Sequence, residues 1–194
     1  PIFYIMEKLI KVYDNIINTD LIDLVEDKAL NQNHQGISYN FFNPINNFHP
    51  HYSDKRKEGF GFGNIFFKSG DVNKEDMLFF NQVLYQACFS LNLIVEKIHN
   101  ARIWLLTPEK ENYISEPHTD MPDPHLACLY YVNDTDGDTI FFNQDKTTII
   151  KKVSPKKGRV VIFDGSIWHS SSTPTKNIRS VINFNFSINK HNKI

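Results

Sequence analysis

A chain of 194 residues, 41% hydrophobic and 22% charged, carries enough apolar side chain for one core of ordinary size, which excludes disorder along its length and leaves no room for a separate second domain. Its 21 Lys and Arg balance 22 Asp and Glu, for a formal charge of -1, so no positive field gathers phosphate backbones or anionic lipid, and nucleic acid is not favoured as a partner. Two cysteines, Cys88 and Cys128, with no CxxC spacing, exclude a disulfide framework and a thiolate zinc site.

The apolar start of the chain is broken at Glu7, Lys8 and Lys11, too early for a signal peptide. No run approaches the roughly 18 apolar residues of a membrane span. The expectation is a cytoplasmic protein without a membrane partner; with Pro1 in first place, Met6 is an alternative start.

Residues 9–13 read as a short strand. Asn18-Thr19-Asp20 can cap a helix whose apolar positions Leu21, Ile22, Leu24, Val25 and Leu30 recur near the helical period. Residues 31–58 are polar and rich in turn formers, a loop or short strands between loops. Within them His49-Pro50-His51 resembles a metal pair, but the intervening proline and polar surroundings favour a surface segment. Lys55-Arg56-Lys57 beside Gly59, Gly61 and Gly63 reads as a solvated loop. Its functional reading is a lid over residues 46–63, hinged on those glycines. A second helix starts near Asn73, where a capping side chain and early acidic residues suit a helix N-terminus. Met77, Phe80, Leu84, Ala87, Cys88 and Leu91 make its buried stripe.

Beyond Asn92 the texture is that of strands: 94–106, 127–132, 139–142, 147–153, 159–163 and 179–188, separated by turn formers such as Asp136-Gly137 and Asp164-Gly165. Several short strands without helices between them predict an antiparallel sandwich or barrel. The fold class expected is α+β, mainly β, with N-terminal helices bracing the sheet. One domain is expected over residues 1–194, with 1–100 as a helical and loop support and 101–190 as the β-barrel core.

Three features of that core converge. In His118-Thr119-Asp120 an extended backbone sends the first and third side chains to one face, so an imidazole and a carboxylate point together. His169 follows the strand 159–163 and the Asp164-Gly165 turn. Two histidines and one carboxylate on three corners of an octahedron leave three positions open, the donor set of non-haem Fe(II) oxygenases. Arg179 lies beyond a Ser-Ser-Ser-Thr-Pro-Thr-Lys-Asn stretch that reads as a hairpin loop, so it is expected on the strand beside His169. A guanidinium there could hold a carboxylate in a bidentate fork.

His118-Thr119-Asp120, Leu129-Tyr130-Tyr131-Val132-Asn133, Asp136-Gly137-Asp138-Thr139-Ile140-Phe141, Val153-Ser154-Pro155, Gly158-Arg159, Phe163-Asp164-Gly165, His169 and Arg179 follow one another as in Fe(II)/2-oxoglutarate-dependent oxygenases. The chain most resembles the prolyl-4-hydroxylase-like branch with its small bacteriophage members, over about residues 100 to 188. The resemblance implies a double-stranded β-helix (a jelly-roll or cupin-like barrel). It further implies Fe(II) on His118, Asp120 and His169, with 2-oxoglutarate and O2 as cosubstrates and the far carboxylate of 2-oxoglutarate on Arg179. It places Tyr131 and Thr139 around that carboxylate, and it requires no acid or base beyond the metal ligands. It also implies hydroxylation of a C–H bond in a prolyl or other peptidyl residue, in the host cytoplasm for a viral member. The paired glycines of many relatives are replaced by Asp136-Gly137-Asp138, and the second arginine of the nucleic-acid-repair branch is missing beyond Arg179. The alternatives are a nucleic-acid or nucleobase oxidase of the same superfamily, with a nucleotide in place of the peptide, and a non-catalytic cupin-like protein that binds a metal or a carboxylate. A bare metal binder has no need of Arg179.

Overall fold

The computed structural model describes residues 10–31, 36–42, 61–68 and 71–189. The expected lid lies outside these residues except for Gly61, Phe62 and Gly63, which open a strand, and His49 and His51 also fall outside.

The chain runs β1 (Ile10–Tyr13), α1 (Thr19–Leu30), β2 (Asn40–Phe42), β3 (Gly61–Lys68), β4 (Asp71–Val72), α2 (Lys74–Ser90) and β5 (Val95–Leu106). It continues with β6 (Leu126–Tyr131), β7 (Thr139–Phe142), β8 (Ile149–Val153), β9 (Val160–Asp164), β10 (His169–Ser171) and β11 (Arg179–Ile188). Both helices start where the caps predict: Asn18 accepts from the Asp20 amide at 2.8 Å, and Asn73 accepts from the Asp76 amide at 3.3 Å, which satisfies donors that have no partner inside the helix.

Two antiparallel sheets form. The larger has the order β1-β9-β6-β11-β5-β3-β2, with β4 added beside β3; the smaller is β10-β7-β8. This is the double-stranded β-helix expected. Strand alternation sorts the large sheet's side chains cleanly. Cys128, Tyr130, Val160, Ile162, Ile182, Phe184 and Phe186 face outward and pack with Val25, Phe80, Val83, Leu84 and Ala87 of the two helices. Ala127, Leu129, Tyr131, Val161, Phe163 and Val181 face inward, against Phe141 of the small sheet. Helix α2 buries Val83, Asp76 and Asn81 as well as the expected Phe80, Leu84, Ala87 and Cys88, while Met77 and Leu91 stay half-buried at the edge of the contact.

One expectation fails. His169 and Arg179 are not on neighbouring strands: β10 belongs to the small sheet and β11 to the centre of the large one. The intervening residues pass between sheets instead of turning a hairpin, and both side chains reach the interior from opposite walls.

Candidate metal centre

His118 and His169 form an isolated antiparallel bridge, with each amide donating to the other residue's carbonyl at 2.9 Å. Directly opposed residues project to the same side, and the two rings come to 4.7 Å between centroids. Asp120, two residues on from His118, joins them. Its Oδ1 is 4.0 Å from His118 Nε2 and its Oδ2 is 3.8 Å from His169 Nε2. One ligand atom from each of the three residues lies within 4.8 Å of the others. Phe163 packs edge-on to His169 at 4.9 Å between centroids.

The local chemistry prepares these groups as ligands. His118 Nδ1 lies 3.2 Å from the Glu116 carbonyl and His169 Nδ1 3.0 Å from the Ile167 carbonyl. A carbonyl accepts only, so both Nδ1 atoms carry the proton and both Nε2 atoms the lone pair. Burial, with His169 nearby, pushes the His118 pKa down to about 3, and burial also lowers that of His169, so both rings are neutral at ordinary pH. For Asp120 burial acts the other way, but Arg102 and the two histidines outweigh it and hold the carboxyl well below the usual range. Two neutral imidazoles and a carboxylate, facing one point, suit a divalent iron.

The second cluster lies farther along β11. Arg179 is 2% exposed; its Nε donates to the Gly137 carbonyl at 2.7 Å and its Nη2 to Thr139 Oγ1 at 2.9 Å. The Tyr131 hydroxyl donates to the same Thr139 oxygen at 2.6 Å, and the Arg179 guanidinium carbon stands 5.7 Å from the Tyr131 ring centre. Among the described residues no carboxylate makes an ion pair with Arg179. Desolvation lowers the Arg179 pKa and raises that of Tyr131. The three residues expected around a cosubstrate carboxylate are thus in contact with one another.

Three further residues were not anticipated. Arg102 on β5 donates through Nη2 to Asp120 Oδ1. Asn183 and Asn185 on β11 donate to Oδ2 at 3.0 and 2.8 Å. The asparagines had a signal in the sequence: they share the odd-numbered face of β11 with Arg179 and Val181, polar positions alternating with Ile182, Phe184 and Phe186. Arg102 had none, since it sits in an otherwise apolar run and meets Asn183 only through cross-strand register.

Residues 105–187 match the family model described as the 2OG-Fe(II) oxygenase superfamily, and His118, Asp120, His169 and Arg179 all fall inside that match. Over those residues the chain is similar to 2OG-Fe(II) oxygenases. Solved structures share its fold. A Pseudomonas putida prolyl-4-hydroxylase superposes with a TM-score of 0.61 at 14% identity, covering 95% of this chain and 96% of that one. A Trichoplax adhaerens prolyl hydroxylase, solved with a peptide of a hypoxia inducible factor, gives 0.61 at 14%, covering 95% and 86%. A viral collagen prolyl hydroxylase from Paramecium bursaria Chlorella virus-1, in complex with 2OG, gives 0.55 at 14%, covering 93% and 96%. Comparison with curated proteins found no match. A 2OG-Fe(II) oxygenase is an oxidoreductase, a dioxygenase that uses Fe(II), 2-oxoglutarate and O2, and the donor set converging on this point suits that iron. Among the described residues no helix is long and apolar enough to cross a membrane.

Proposed function

We propose that the protein hydroxylates a C–H bond of a peptidyl residue, a prolyl residue in the first instance. In this reading His118, Asp120 and His169 hold the iron, while Arg179, Tyr131 and Thr139 receive the far carboxylate of 2-oxoglutarate. Fe(II) held there would supply the oxidising chemistry, in which 2-oxoglutarate and O2 are consumed and succinate, CO2 and a hydroxylated substrate are formed. The side chains bind and orient. Arg179 fixes one end of the cosubstrate, the bridged histidines keep both Nε2 atoms aimed at one point, and the Phe141 and Phe163 rings exclude water behind His169.

The observation that carries this reading is Arg179. A guanidinium that is 2% exposed, with only neutral partners in hydrogen-bond contact, is costly unless an anion completes its environment. Arg179 and Asn183, whose amide touches Asp120, are four residues apart on one strand, roughly 13 Å between their backbones. The arginine side chain and a five-carbon diacid together span that interval. The peptide enters from the fold likeness to enzymes named as prolyl hydroxylases, one of them bound to a peptide.

The test is succinate release from 2-oxoglutarate with Fe(II), screened over peptide, free amino-acid and nucleotide pools, with mass spectrometry of the pools. Peptide-dependent succinate and a gain of one oxygen atom on a peptide are expected. Turnover stimulated by nucleotides alone would replace the peptide with a nucleobase substrate.

A further inference from the structure

Asp120 is a fully buried carboxylate, 0% exposed at its side chain, and a carboxylate offers about four acceptor positions, two on each oxygen. Asn183 and Asn185 occupy both positions on Oδ2. Arg102 occupies one on Oδ1. One position remains, also on Oδ1, the oxygen that Arg102 already touches. The guanidinium itself is only partly satisfied: its Nε is buried without a partner, and its side chain keeps 17% exposure. It therefore meets the carboxylate through Nη2 and not as a two-point fork.

From this arrangement we infer that Arg102 is a positioning residue that acts as the counter-ion of Asp120 in the metal-free protein and competes with the metal for that carboxylate. The inference rests on the assignment of His118, Asp120 and His169 as the metal ligands. Without a metal, a buried carboxylate needs a cation, and Arg102 supplies it. A divalent metal on Oδ1 brings a second cation to the same oxygen, so the two repel and the arginine lowers the metal's affinity. The neutral asparagines keep the carboxylate aimed in either state. The consequence is a site that stays folded while empty and exchanges its metal readily.

The sign of the effect separates this role from a merely structural one, because damage to the ligand cage weakens metal binding whereas loss of a competing cation tightens it. The experiment compares wild type, Arg102→Met and Arg102→Lys, with thermal midpoints in chelator and Mn(II) affinity from the EPR signal of free Mn(II). Arg102→Met should melt roughly 5 °C or more below wild type in chelator and bind Mn(II) about tenfold more tightly. Arg102→Lys, which keeps the charge, should stay near wild type in both. Failure of Arg102→Met to fold in chelator with recovery on Mn(II) counts for the proposal. An unchanged midpoint in chelator, or Mn(II) binding no tighter than wild type, overturns it. If Arg102→Met folds under neither condition, Arg102→Lys decides, and a Mn(II) affinity weakened by tenfold or more there overturns it. His118→Ala with unaltered Mn(II) binding would instead show that the metal lies elsewhere, an outcome that rejects the ligand assignment and the inference with it.

Discussion

At the scale of single residues, the proposed metal centre rests on three side chains, His118, Asp120 and His169. Replacing His118, Asp120 or His169 with Ala is expected to abolish Fe(II)-dependent succinate formation while leaving the circular dichroism spectrum close to wild type, because the backbone bridge between His118 and His169, with Asp120 two residues on, is held by main-chain hydrogen bonds. Near-normal turnover by any of the three would remove that residue from the ligand set. With Arg179 as the proposed partner of the far carboxylate, Arg179→Ala should lower 2-oxoglutarate affinity by about 2 to 5 kcal/mol while Mn(II) affinity changes little. Arg179→Lys should recover only part of it, since an ammonium cannot reproduce the contacts of Nε and Nη2 to Gly137 and Thr139. An isothermal titration with 2-oxoglutarate distinguishes these outcomes. The donors on Asp120 had to come from the structure. The contact between Arg102 and Asp120 spans 18 residues, and those of Asn183 and Asn185 span 63 and 65, so no local pattern announces them.

At the scale of elements, turns aim the functional side chains. Gly137 has φ +96°, and a Cβ there would meet the Ser172 carbonyl oxygen at 2.9 Å, Pro174 N at 3.0 Å and Arg179 Cδ at 3.1 Å. The same residue's carbonyl accepts from Arg179 Nε. Gly137→Ala should therefore cost on the order of 1 to 3 kcal/mol of stability and also weaken 2-oxoglutarate binding, read as a lower thermal midpoint together with a shifted titration. An unchanged titration would mean that the loop moves without carrying Arg179 along. Helix α2 has a different duty, covering the outer face of the large sheet. Phe80, 0% exposed, stacks near Phe66 of β3 at 5.3 Å between centroids. Phe80→Ala should cost about 3 to 5 kcal/mol in denaturant unfolding with little effect on 2-oxoglutarate affinity, because this core lies on the opposite side of the sheet from the site.

At the scale of the whole molecule, the first strand is tied to the barrel by an ion pair as well as by its ladder with β9. Arg159 donates to Asp14 through Nε at 2.8 Å and through Nη2 at 3.0 Å. This contact with Arg159, against a smaller desolvation cost and helped by Lys156, lowers the Asp14 pKa from 3.8 to about 2. A carboxyl whose pKa falls on folding contributes stability above its unfolded value and loses it as pH drops through the folded one. Asp14→Asn should thus be destabilising by less than about 1 kcal/mol near neutral pH, as befits a half-exposed pair. The gap to wild type should close between pH 3.8 and about 2. Parallel melts of the two proteins across that range would show it, and a gap that widens toward acid would mean that Asp14 is not stabilised by this pair.

Sequence alone determined the helix caps at Asn18 and Asn73, the strand-rich second half, and the identity of His118, Asp120, His169, Arg179, Tyr131 and Thr139 as a set worth placing together. The caps, the strands and the order of His118, Asp120, His169 and Arg179 rest on local rules, side-chain capping and alternation along an extended backbone among them, whereas Tyr131 and Thr139 entered through the family resemblance. Only the tertiary structure decided which sheet each strand joined. The crossing between β10 and β11, which parts His169 from Arg179, depends on long-range pairing that no turn residue specifies. Only the register of β5 against β11, with Arg102 opposite Asn183, brought a cation and two amides onto the buried carboxylate. A slip of one residue would turn either Arg102 or the two asparagines to the outer face, and what holds the register is the burial of Ile103, Ile182, Phe184 and Phe186 against the helices, a property of the packed molecule and not of either strand.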